Sequence, residues 1–132
     1  MSLSNRKAGL AALLLVGSAP AIAGDFDGSK TLICAPSEAQ ECAQDEGCSA
    51  WPPHTIGAPA FVRIDVKKKA LIGPQTTTPI ELIEKTDTQL YLTGMERGFS
   101  WTIALSLKDG AMTATLITDN GTDVLFGYCT PM

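Results

Sequence analysis

The sequence predicts an all-β protein: a small antiparallel meander closing into a barrel of about eight strands, with a short disulfide-bound helical or loop knob near the N-terminus. Three observations carry this. Phe99–Leu107 alternates strictly, with Phe99, Trp101, Ile103, Leu105 and Leu107 on one face and Ser100, Thr102 and Ser106 on the other. Period-2 alternation of that length marks a strand with one buried and one wet face. Tight-turn chemistry recurs at hairpin spacing, as in Lys108-Asp109-Gly110 and Asp119-Asn120-Gly121. The 4 cysteines form an even set in a chain of 132 residues, which suits a small domain stapled by disulfides.

The first residues stand apart from that domain. Arg6 and Lys7 make a basic start, and Ala8–Val16 is apolar but too short for a bilayer, which needs about 20 residues. Pro20 and then Ala21-Ile22-Ala23 complete the three-part pattern of a secretory signal peptide. Residues 1–23 are therefore expected to be removed after Ala23, leaving 24–132 as a single β-barrel-like domain, periplasmic or secreted. No cysteine follows the cleavage site to take a lipid, and no later apolar run could span a membrane. The formal charge is −4 for the whole chain, and loss of Arg6 and Lys7 makes the remainder more acidic. Nucleic acid and anionic lipid surfaces need clustered Lys/Arg, so the charge argues against both as partners. The one basic run, Lys67-Lys68-Lys69, reads as a solvated hairpin turn.

Taken in order, Gly24–Ser29 is a polar leader with a turn at Asp27-Gly28. Its acidic residues resemble part of a calcium loop, but with Gly28 as the loop glycine the terminal Glu would fall on Cys34, so calcium is not expected. Lys30–Cys34 is the first strand, and Pro36 is expected to stop it. Ser37 with Gln40 suits a capped helical turn ended by Gly47. With Glu38, Glu41, Asp45 and Glu46 this segment makes an acidic exposed knob. Trp51–Pro59 holds three prolines and is irregular. Phe61–Val66, Ala70–Ile72, Ile80–Lys85 and Gln89–Thr93 follow as strands, with Gln75–Thr78 as a polar connection. Gly94–Gly98 turns the chain into the long strand Phe99–Leu107. Ala111–Thr118 and Thr122–Cys129 complete the meander, the last with Val124, Phe126 and Tyr128 on one face.

Three disulfide pairings are possible. The reading favoured here is Cys42–Cys48 as a local clip and Cys34–Cys129 as a staple between the first and last strands, as barrel closure requires.

Several segments together carry a resemblance: Asp27-Gly28-Ser29-Lys30 leading into Leu32-Ile33-Cys34-Ala35, Phe61-Val62-Arg63-Ile64-Asp65, Thr77-Thr78-Pro79-Ile80-Glu81, Gly98 with Trp101, and Phe126-Gly127 with Cys129-Thr130. On these the chain resembles a family of small exported proteobacterial proteins of unknown function. The resemblance spans most of residues 24–132 and implies no catalytic residue. A looser, fold-level likeness is to exported lysozyme-inhibitor barrels, which also end near a Cys-Thr pair; their inhibitory Ser-Gly loop is missing here.

No enzyme is expected. His54 is the single histidine and sits in a proline-rich loop with no nucleophile motif beside it. The gaps between Cys34, Cys42 and Cys48 do not match zinc-ligand spacing, so no metal and no cofactor is expected. The acidic pairs Glu81/Glu84 and Asp119/Asp123 read as solvated, and Arg63 with Asp65 as an outer cross-strand pair. The candidate ligand or partner contacts are Trp51, His54, Phe99 and Trp101. Two functions follow: a non-enzymatic binding module for a small apolar ligand or protein partner, and an envelope inhibitor or assembly factor acting through the acidic disulfide-bound segment or the loop Trp51–Pro59.

Overall fold

The computed structural model describes residue 17 and residues 24–132; the expected signal segment lies, apart from Gly17, outside the described residues. The strands are β1 Leu32–Ala43, β2 Gly47–Trp51, β3 Val62–Asp65, β4 Ala70–Ile72, β5 Thr77–Pro79, β6 Leu82–Lys85, β7 Gln89–Glu96, β8 Phe99–Ser106, β9 Ala111–Ile117 and β10 Thr122–Pro131. A single 3-10 turn, Pro53–Ile56, follows β2.

All ten strands belong to one antiparallel sheet, in the order β5-β4-β3-β1-β10-β9-β8-β7-β6, with β2 paired to β1 off that path. The sheet curls into a half-barrel of nine strands. Its two end strands, β5 and β6, are consecutive in the chain, and the residues between them keep the pairing unbroken. Ile80 N–H donates to Lys69 O on the β4 side, and Glu81 N–H donates to Thr93 O on the β7 side, both at 2.8 Å. One bent segment thus serves both edges of the wall, which leaves little exposed edge for another chain to pair with.

The strand directions define two ends. At one lie the leader 24–31 and the turns after β3, β6 and β8. At the other lie the β1–β2 and β7–β8 turns, the β4–β5 loop and the β9–β10 turn. The largest fully buried side chains, Leu32, Ile64, Leu90, Leu92, Leu105 and Cys34, sit toward the first end. Phe26 packs against this core from the leader. It comes so close to Gly110 (φ 74°) that a Cβ there would lie 2.5 Å from both the Phe26 ring and Cys129 O. The glycine predicted for left-handed geometry in the β8–β9 turn therefore also admits the plug that closes this end.

Two expectations are corrected. Pro36 does not stop β1. It lies between the stretch paired to β3 (32–34) and the stretch paired to β2 (39–43), at a bulge in the β10 register between Pro36 and Glu38. One side of β1 is unpaired there, so the missing N–H costs no ladder bond. The knob is correspondingly not helical. Ser37–Ala43 continues β1 and folds back through Asp45 (φ 65°) and Gly47 (φ 76°) into β2. The count rises from about eight strands to ten, because Gly47–Trp51 and Thr77–Pro79 are strands rather than loops. Elsewhere β7–β10 form the expected meander, with β7 running on through Gly94 to Glu96.

Both favoured disulfides form. Cys34 faces Cys129 across β1–β10, and Cys42 faces Cys48 across β1–β2. Their sequence separations of 95 and 6 correspond, in the chain-entropy relation, to about 4.7 and about 2.2 kcal/mol. The pair Cys34→Ala/Cys129→Ala is therefore expected to lower the unfolding free energy by more than Cys42→Ala/Cys48→Ala, in urea melts of residues 24–132. Equal losses would show that the first bridge does not tie the chain's distant ends.

Candidate functional site

Toward the second end the barrel is hollow. A cavity of about 550 Å³ lies there, within the size range of small-ligand sites. Period-2 alternation builds its wall. Phe99, Trp101 and Ile103 come from β8, Met112, Ala114 and Leu116 from β9, and Leu125 from β10. The opposite wall is Val62, Leu71 and Thr78, and the segment Ile56–Pro59 covers part of the opening. Gly57 ends the 3-10 turn in left-handed geometry (φ 79°), which swings Ala58 and Pro59 onto the cavity.

The wall is thin at β7. Gly94 faces Trp101 across β7–β8, and the indole lies over it. A Cβ at Gly94 would sit 2.7 Å from Trp101 Cε2 and 2.8 Å from Pro79 O. Only glycine lets the indole and the bent β5–β6 segment approach together. The ring is buried, and its Nε1 has no hydrogen-bond partner among the described residues.

The rim of the cavity is acidic. Glu96 lies opposite Phe99 in the β7–β8 register, and both line the cavity. The Thr76 hydroxyl donates to Glu96 Oε1 at 3.0 Å, tying the β4–β5 loop to the β7–β8 hairpin. Asp123 lies in phase with Leu125, Gly127 and Cys129 on the inner face of β10. It stands directly opposite Leu116 on β9 and Glu41 on β1. Burial pushes the Asp123 carboxyl above its ordinary range, and like charges placed opposite each other in a sheet repel. Among the described residues no Lys or Arg lines the cavity. The single ion pair among the described residues, Lys30–Asp25 at 2.6 Å, is on the leader at the other end.

Of the four predicted contacts, Phe99 and Trp101 line this cavity, whereas Trp51 and His54 are exposed and do not. Asp123, read from sequence as solvated, is corrected: it is partly buried in the wall, because the inward phase of β10 is set by Cys129. Counting back in twos from Cys129 reaches it, and counting forward from Leu90 and Leu92 reaches Glu96; that signal was present in the sequence. Arg63 and Asp65 do not pair; Asp65 accepts the backbone N–H of Lys68 at 3.0 Å instead. Val124, Phe126 and Tyr128 form the outer face of β10. Among the described residues no group of three or more His, Cys, Asp or Glu is placed to hold a metal, and no helix is long and apolar enough to cross a membrane.

Fold and site together define a class: a disulfide-bonded antiparallel half-barrel with an apolar internal cavity and an acidic rim. Comparison with protein-family models, with curated proteins and with solved structures finds no match to this chain.

Two predictions follow from the wall and the rim. Gly94→Ala is expected to destabilise by about 1–3 kcal/mol through overpacking against Trp101, read as a lower urea midpoint; an unchanged midpoint would mean the indole moves freely. For Asp123, the folded pKa is raised, so the folded chain holds this proton more tightly than the unfolded one. Stability then falls as pH rises from the unfolded value of 3.8 through the folded pKa, and the penalty persists at neutral pH. Asp123→Asn is thus expected to raise Tm at pH 7, with the gain vanishing near pH 3. A gain of the same size at both pH values would rule out charge burial as its cause.

Proposed function

We propose that this chain is a non-enzymatic binding module that holds a small apolar ligand inside the barrel. The observation that carries this reading is the cavity itself, about 550 Å³ between apolar side chains of β8, β9 and β10. An eight-stranded barrel is just wide enough for its side chains to fill or to hold one small ligand. Here the inward positions on the upper half include Ala114 and Gly94, which leave room that Leu or Phe would take. The two disulfides suit an oxidising compartment. With the signal pattern of residues 1–23 and the resemblance to small exported proteobacterial proteins, this supports action in the periplasm or outside the cell.

The test uses Trp51→Phe, which leaves Trp101 as the sole tryptophan of a chain that has 2. A neutral apolar probe, N-phenyl-1-naphthylamine, is expected to quench Trp101 by energy transfer in a saturable, one-to-one titration. Ala114→Phe, placed where a larger ring fills the cavity, is expected to weaken that binding at least tenfold while far-UV circular dichroism is retained. Binding equally strong in Ala114→Phe, or none in the parent, would overturn the reading.

A second reading rests on the β1–β2 hairpin. All five residues of β2 are exposed, the Cys42–Cys48 bond clamps the ribbon, and Glu41, Asp45 and Glu46 make its tip acidic. A rigid acidic projection suits a basic protein partner, such as an envelope hydrolase of the lysozyme kind. Binding to hen lysozyme that weakens with salt and with Asp45→Asn/Glu46→Gln supports it; salt-insensitive or absent binding removes it.

A further inference from the structure

We infer that the cavity selects ligands with a cationic head, an apolar amine or quaternary ammonium compound, over neutral and anionic ones; this rests on the cavity-binding reading above and specifies its ligand class. Four features of the molecule converge on it.

The first is the sign of the rim. Asp123 and Glu96 are the charged residues lining the cavity, and both are acids. Glu41 adds a third carboxylate directly across β1–β10 from Asp123. None of the three has an ion-pair partner among the described residues. A carboxylate held partly out of water without a counter-charge is costly, and a ligand cation would supply what the chain omits.

The second is the aromatic wall beneath those acids. Phe99 sits opposite Glu96 at the same level of the barrel, with Trp101 two residues further in. Ring faces attract cations, and aromatic sites are the characteristic means of recognising quaternary ammonium groups. The apolar depth beyond, through Ile103 and Met112, takes a hydrocarbon tail.

The third is the charge polarity of the whole domain. At the plugged end Lys30, Lys67, Lys68, Lys69 and Lys108 lie on the leader and turns and Lys85 ends β6, and together they offset Asp25, Asp27, Asp65, Asp87 and Asp109 at that same end. At the open end the rim acids are joined by Asp45, Glu46 and Asp119. Arg97, exposed in the β7–β8 turn and not lining the cavity, is the one base on the turns of that end among the described residues. The resulting field draws cations toward the opening and repels anions.

The fourth is the hydrogen-bond geometry of Glu96. The Thr76 hydroxyl donates to Oε1 and restrains the carboxylate at the cavity wall, without neutralising it.

The test uses three probes with one hydrocarbon chain: decyltrimethylammonium, decanol and decanoate. Binding to the Trp51→Phe protein is read by Trp101 fluorescence at pH 7.5 and low salt, below micelle concentrations. Expected is the order cation, alcohol, anion, with at least tenfold between the ends, shrinking as salt is added. Asp123→Asn/Glu96→Gln is expected to bring the cation to within about threefold of decanol, a gap near 0.6 kcal/mol and no larger than ordinary pairwise terms. Decanoate binding as tightly as decyltrimethylammonium, or a preference untouched by the double substitution, overturns the inference while decanol binding leaves the cavity reading standing. Failure of all three probes to bind overturns both.

Discussion

The pairing of β1 with β10 is the constraint on which the rest depends. It joins the two ends of the described domain through a long antiparallel ladder, and Cys34–Cys129 fixes it within the core. A single-layer wall of this kind has no second sheet or helix to cover its inner face. It must curl until that face meets itself, and it can do so only if its first and last strands are held adjacent. The bent β5–β6 segment then closes the opposite seam by covalent continuity. One seam is thus stapled by sulfur and the other by the chain.

From this closure comes an uneven interior. Leu32, Ile64, Leu90, Leu92 and Leu105 fill the half nearest the leader, and Phe26 plugs it. That half supplies the apolar burial a small domain needs. The other half gives some of this up: small residues stand where large ones would pack, an indole N–H is left unpaired, and a carboxylate is partly buried. Violations of packing and charge rules gathered at one end, in a chain that obeys them at the other, mark a functional site more readily than a structural accident. The same asymmetry appears in the charges: lysines and aspartates nearly balance at the plugged end, while acids predominate around the opening.

Much of the wall was legible in the sequence, because alternation and turn chemistry are local signals. Phe99–Leu107 and the turn at Lys108-Asp109-Gly110 place β8 and β9 directly. The disulfide pairing was legible once closure was assumed. The hairpin of β1 and β2 was not. Ser37, Gln40 and Gly47 satisfy the local rules for a capped helical turn, and what overrides them is pairing to β10, a partner more than eighty residues away. Pro36 escapes local rules for the same reason, since its tolerance depends on which side of β1 is unpaired. At the site, Phe99 and Trp101 stood out as inward aromatics. Asp123 and Glu96 did not, because nothing local distinguishes an inward carboxylate from a solvated one; the phase of the strand decides it, and that phase is anchored by Cys129 and Leu90.

The sharpest measurement is where a bound apolar molecule sits. Residues 24–132 hold three methionines, of which Met112 lies in the cavity wall while Met95 and Met132 are on the exterior. With the methionine methyl groups isotopically labelled, decanol protons are expected to give intermolecular Overhauser contacts to Met112 and to neither of the other two. Contacts to Met95 or Met132 with none to Met112 would contradict a ligand held inside the barrel.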